Sequence, residues 1–170
     1  MSSLKQEKKI RDIMVAIKQF PAVKSTSLIK EAVCLIQKAQ ESQSPDCGIL
    51  LVIDDTQNWI GVTDRKMVLR TLGLYLENHI CRSGGEVYSD RAPPFEPGLF
   101  TECCRLQLAR CVEEIMYPRE VVIIGIDDDL PQALHLMTEG EVDSLVVVEN
   151  NEPIGVVHSV DVFNEIGRSV

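Results

Sequence analysis

Gly155, His158, Ser159 and Asp161 fall within one short stretch, where an apolar run ends and a helical pattern begins. A carboxylate in the first turn of a helix can accept from two neighbouring hydroxyls. The free N–H groups of that turn, with the positive end of the helix dipole, attract phosphate. An imidazole just before the helix adds a donor toward phosphate, a stronger one when protonated. A purely structural reading is also open, in which Asp161 complements the helix dipole and His158 is a surface residue. A related set stands earlier in the chain: Gly61, Thr63, Asp64, Arg65 and Lys66. There the residue three after the threonine is Lys66, counting from the glycine lands on Met67, and Asp64 is one residue out of phase. Neither Lys66 nor Met67 can accept hydroxyls.

Other reactive side chains assemble less well. Cys103, Cys104 and Cys111, with His79 and Cys81, bring thiol and imidazole together, but adjacent cysteines fit poorly with the paired spacing of tetrahedral zinc sites, and helix packing accounts for them. No cysteine or serine is placed beside an oriented base, as nucleophilic catalysis requires. Asp54-Asp55 and Asp127-Asp128-Asp129 sit at a turn and a helix start, where solvation and capping explain them. Cys34 and Cys47 lie in or beside apolar segments and read as small buried hydrophobes.

The elements that must position the two sets occur twice. Late in the chain, Leu145–Val148 is an apolar run, Glu149–Glu152 a polar turn and Ile154–Val157 a second apolar run before the helix; earlier, Ile49–Ile53, Asp54–Asn58 and Trp59–Val62 repeat that order. Upstream, Met14 and Met116 stand 102 positions apart, as do Leu28 and Leu130. Extended pieces follow each methionine, at Phe20–Val23 and Val121–Ile124. Ser25-Thr26-Ser27 offers N-caps for a helix with an apolar stripe of Leu28, Ala32, Leu35, Ile36 and Ala39. Asp127–Asp129, followed by Pro131, does the same for Leu130, Ala133, Leu134 and Met137. The spacing predicts further helices over 66–80, 99–110 and 161–166, the last ending at Gly167. Glycine and proline between 83 and 98 mark a long connector.

The chain is 170 residues long, 45% hydrophobic and 25% charged, ordinary values for a soluble globular protein. No apolar run approaches the ~20 residues a membrane helix needs, and the polar, basic start does not read as a secretory signal. A cytoplasmic location with reduced thiols is the expectation. A net charge of −9 with scattered basic residues disfavours nonspecific binding to nucleic acid.

Two ordered copies of extended piece, helix, strand, strand and helix resemble the cystathionine β-synthase (CBS) domain, in tandem a Bateman module. The residues that carry the resemblance are Arg11–Met14 and Glu113–Met116 at the start of each copy, and Ile49–Thr63 and Leu145–Asp161 at the end. The resemblance implies an α/β (α+β) fold of two pseudo-symmetric domains, 9–80 and 111–170, each a short sheet packed with helices, joined by a connector over 81–110. It implies a regulatory, non-enzymatic module, homodimeric, that takes an adenosine-containing ligand such as AMP, ADP, ATP or S-adenosylmethionine and signals to a protein effector. No other cofactor or metal is expected. By the same resemblance Asp161 accepts from the ribose diol, His158 and Ser159 stand at the phosphate position, and the first strand, Val122 and Ile123, meets the adenine. By the same resemblance Thr63 and Lys66 are the corresponding positions in the first copy, whose cleft is then either empty or meets phosphate through Arg65 and Lys66. A purely structural dimerisation module with degenerate clefts is the alternative. Met67, Val68, Leu69, Leu72, Val162, Phe163 and Ile166 give the last helix of each copy more apolar residues than one buried face uses.

Overall fold

The computed structural model describes residues 8–42, 48–80 and 96–169. Its strands are β1 (Val15–Ala16), β2 (Ala22–Lys24), β3 (Ile49–Ile53), β4 (Trp59–Asp64), β5 (Tyr117–Pro118), β6 (Ile123–Gly125), β7 (Ser144–Glu149) and β8 (Glu152–His158). Its α-helices are α1 (Ile29–Glu41), α2 (Arg65–Ile80), α3 (Leu99–Gln107), α4 (Leu130–Gly140) and α5 (Ser159–Arg168). The described residues form a mixed α+β fold with two four-stranded sheets. None of their helices is long and apolar enough to cross a membrane.

Compactness divides the chain otherwise than sequence order does. One unit takes the described residues up to Pro21, Trp59–Val62 and those from Tyr117 onward; the other takes Ala22–Asn58 and Thr63–Met116.

The first unit holds a sheet in the order β1-β8-β7-β6. Leu145, Val146 and Val147 of β7 and Val156 and Val157 of β8 are fully buried, so these strands read as unbroken apolar runs rather than alternating ones. Asn150 and Asn151 turn the β7–β8 hairpin at φ +50° and +69°, the left-handed region that asparagine tolerates best after glycine. Arg119 braces this turn by donating to Asn151 O at 3.0 Å and to Asn151 Oδ1, while its guanidinium lies 5.0 Å from the Trp59 ring centroid. Asp129 caps α4 by accepting from Gln132 N at 3.0 Å, with Pro131 in the first turn as expected.

In the other unit β2 runs parallel to β3. Ile29, Val68 and Ile115 form a buried cluster, with Val33, Met67, Leu72 and Leu108 packed against it. Helix α1 begins at Leu28 as N-cap, without a side-chain cap from Ser25, Thr26 or Ser27. The reason is main-chain competition: Ile29 N donates to Arg110 O at 2.8 Å and Lys30 N to Leu108 O at 3.1 Å, which satisfies the first-turn donors a serine would have served. The buried stripe is accordingly Ile29, Ala32 and Ile36, with Leu28 exposed.

Three further expectations are corrected. Cys34 is exposed, on the outer side of α1, and is no core residue. Helix α5 spans 159–168 and passes through Gly167, where added side-chain volume would meet open space. Val121 lies in a short 3-10 turn, so the strand there is confined to 123–125. Cys47, Cys81 and most of the expected connector lie outside the described residues.

Candidate functional site

Strand β8 delivers His158 to the N-cap of α5 with an extended backbone, φ −101° and ψ 155°. Asp161 sits three residues on, and its Oδ2 accepts from His158 N at 3.0 Å. That closes one orphan donor of the helix start. An ionised carboxylate has about four lone-pair sites, so Asp161 keeps acceptor capacity beyond this bond. Ser144, opposite His158 in the β7–β8 ladder, places its Oγ 2.8 Å from His158 Nδ1, and the ring of Phe20 stands 5.8 Å away. The imidazole is thereby oriented from two sides. Ser159 is exposed at the first position of α5, with its N–H donating to Asp143 O at 2.8 Å.

Gly155 is required by close packing. A Cβ there would lie 2.8 Å from Val15 O and 3.0 Å from Met14 Sδ, because β1 pairs antiparallel with β8 through Val15↔Val156 and Ala16↔Gly155. One turn beyond Asp161, the buried Glu165 receives Lys8 Nζ at 2.9 Å and is also bonded by Arg168. Hydrogen bonds from Lys8 and then Arg168 hold the Glu165 carboxyl below its ordinary value. The same helix face therefore carries Asp161 and, four residues on, a carboxylate already matched by two cations. Lys8, Ser144 and Glu165 were not singled out from sequence. The i, i+4 spacing of Asp161 and Glu165 was the available signal.

The structure brings His158, Ser159 and Asp161 together and leaves the other expected residues apart. Val122 is fully buried, and its carbonyl accepts from Val146 N at 2.6 Å. Ile123 pairs with Val146 on β6, two strands from β8, roughly 10 Å at the usual spacing. The strands flanking β8 are β1 and β7. In the first copy Asp64, and not Thr63, is the residue before the helix, and its Oδ1 accepts from Met67 N at 2.7 Å. Thr63 is fully buried inside β4 with no hydrogen-bond partner for Oγ1 among the described residues. Asp64 thus corresponds to His158 and Met67 to Asp161. Lys66 is exposed in the first turn of α2, one residue short of that position.

Residues 112–168 match the family model described as CBS domain. CBSX2 from Arabidopsis thaliana has the same fold with a TM-score of 0.65 at 16% identity, over 96% of this chain and 97% of that one. The chain has the fold of a tandem CBS pair. A structure of CBSX2 in complex with AMP matches with a TM-score of 0.60 at 18% identity, over 95% and 97% of the two chains. The CBS domain of a bacterial CNNM/CorC family Mg2+ transporter in complex with ATP matches with a TM-score of 0.60 at 17% identity, over 94% and 87%. No curated protein matches the chain in sequence. CBS domains are generally regulatory modules, and the matched segment, 112–168, contains the whole His158–Asp161 constellation.

Of the apolar residues in the last helices of the two copies, Val68 and Val162 are buried in their own units. Leu69, Phe163 and Ile166 are exposed, Phe163 by 70%.

Proposed function

We propose that this chain is a regulatory module, not a catalyst, that binds an adenosine nucleotide through the start of α5 in its second CBS domain. The observation that carries the reading is Asp161. It is a carboxylate fixed in the first turn of a helix, half engaged in capping, directly after the strand that carries Gly155. A ribose diol offers two donors to such an acceptor, and the helix start with Ser159 and His158 offers donors to phosphate. AMP and ATP in complexes of proteins with this fold support the choice of ligand class. In this reading the protein is a cytoplasmic homodimer, and the bound state is passed to a protein effector.

Calorimetric titration with AMP, ADP, ATP and S-adenosylmethionine tests it. At least one is expected to bind saturably, and Asp161→Ala is expected to weaken that binding without unfolding the chain. Binding unchanged in a folded Asp161→Ala variant removes Asp161 from the site.

A second reading, a dimerisation module without ligand, is favoured by the exposed Val160, Phe163 and Ile166 along α5. Absence of binding by all four ligands, together with a dimer in light scattering, selects it.

A further inference from the structure

Helix α5 turns the wrong side chains inward for an ordinary amphipathic helix. Of its ten residues only Val162 and Glu165 are buried, while Val160, Phe163 and Ile166 are exposed. A carboxylate inside and three apolar side chains outside reverse the usual order of burial. With a single buried aliphatic residue, α5 gains little from apolar packing against its own unit, so its docking depends on how the buried charge is matched.

Glu165 has two cationic partners, and they differ in kind. Arg168 belongs to α5 itself, so its bond neutralises the carboxylate without tying the helix to anything else. Lys8, whose Nζ lies 2.9 Å from Glu165 Oε2, comes from the segment before β1. That segment is fixed. Lys9 N donates to Asp12 Oδ2 at 2.8 Å, Ile10 N to Asp128 O at 3.1 Å and Arg11 N to Ile126 O at 3.2 Å, and Ile10 is fully buried. The ammonium thus starts from backbone that the loop before α4 holds, and Glu165 brings α5 to it. Asp161 stands one turn earlier on the same helix face, about 6 Å along the axis.

We propose that Lys8 is a positioning residue for Asp161. Through Glu165 it docks the middle of α5, and the helix carries that docking back to the carboxylate in its first turn. Asp161 then keeps its cap bond to His158 N, at 3.0 Å, together with the acceptor sites that face a ligand. The consequence for ligand binding rests on the function proposed above, whereas the consequence for the cap bond does not.

Hydrogen exchange and calorimetry on the full chain, with Lys8→Met and Lys8→Arg, test this. Lys8 is exposed at the end of its segment, so both variants fold. In ligand-free Lys8→Met, protection of the His158 amide is expected to fall about fivefold, the scale of one partly exposed ion pair, while Val147 in the centre of the sheet keeps its own. Lys8→Arg preserves the cation and retains both. In calorimetry Lys8→Met is expected to weaken AMP and ATP by the same factor, because the ribose is common to them. The double variant with Glu165→Gln loses no more than the worse single one. Unchanged His158 protection in Lys8→Met overturns the proposal, as does an equal loss at Val147, which makes Lys8 merely structural. A greater loss for ATP than for AMP also overturns it, since Lys8 then meets phosphate directly. If neither nucleotide binds the unmodified chain, the proposed function fails, and protection of the His158 amide alone decides the role of Lys8.

Discussion

The two strand-to-helix junctions, β4 into α2 and β8 into α5, share a backbone plan and differ in which residue caps the helix. In the second copy the acceptor lies inside the helix: Asp161 reaches back to His158 N. In the first it lies before the helix: Asp64 reaches forward to Met67 N. Both solutions satisfy one orphan donor. Only the second copy's solution leaves a carboxylate in the first turn of the helix; the first copy's leaves a methionine at the same place. In the proposed site, helix capping and ligand recognition thus draw on the same side chain. Moving the cap by three residues relocates the chemistry without altering the fold.

The largest effect is expected from Gly155→Val, which drives a branched side chain into Val15 O and Met14 and should lower stability by about 3 kcal/mol, the upper end of overpacking costs. Urea denaturation measures it, and a loss below the error of the method means that β1 can retreat from β8. Asp161→Ala is expected to weaken adenosine-nucleotide binding by about 2 kcal/mol, because hydrogen bonds to a charged acceptor are lost. Titration and circular dichroism together separate that loss from unfolding.

The contrast sharpens in the opposite direction with Met67→Asp, expected to raise the number of nucleotide sites from one to two per chain. Lys66→Asp, one residue out of register, is expected to leave it at one. The new carboxylate should improve first-copy affinity by about 1 kcal/mol or slightly more. Two sites per unmodified chain would show that the missing acceptor does not disable the first copy. The smallest effect belongs to Glu165, whose carboxyl Lys8 and Arg168 hold below the ordinary value of 4.5. A depressed carboxyl contributes stability that is present above its unfolded value and is lost as pH falls through its folded value. Stability of the unmodified protein should therefore fall more steeply below about pH 4.5 than that of Glu165→Gln, as acid titration of the thermal midpoint would reveal.

Much of the architecture was legible where local signals were strong. The β-branched runs of β7 and β8 and the Asp129–Pro131 helix start were readable because propensity and capping agree there with the final fold. Long-range pairing was less accessible. β1 and β5 are two residues long and exist only because β8 and β4 lie beside them. The N-terminus of α1 is satisfied by carbonyls some 80 residues away, which no local pattern announces. At the candidate site, Asp161 and His158 were readable from type and spacing. The registration of Thr63 and Lys66 was not, because two threading frames differ by one residue and only the capping bond from Met67 to Asp64 selects between them. The separation of Val122 and Ile123 from β8 was not readable for a related reason: sequence order made β6 the first strand of the copy, whereas β8 lies between β1 and β7.

The pairing of β1 with β8 also sets a schedule for biosynthesis. Val15 and its partner Val156 are 141 positions apart, so β1 emerges from the ribosome long before the strand it must join. At about 5–20 residues per second the wait is on the order of 7–30 s. Throughout that interval Val15 and Ala16 have no native strand partner, and the edge of β8 that they finally cover does not exist. A nascent chain arrested at residue 140 is expected to show no hydrogen-exchange protection at Val15, and protection there would mean that a provisional partner holds β1 in the meantime. The last strand to be made is the one that lets the first segment settle.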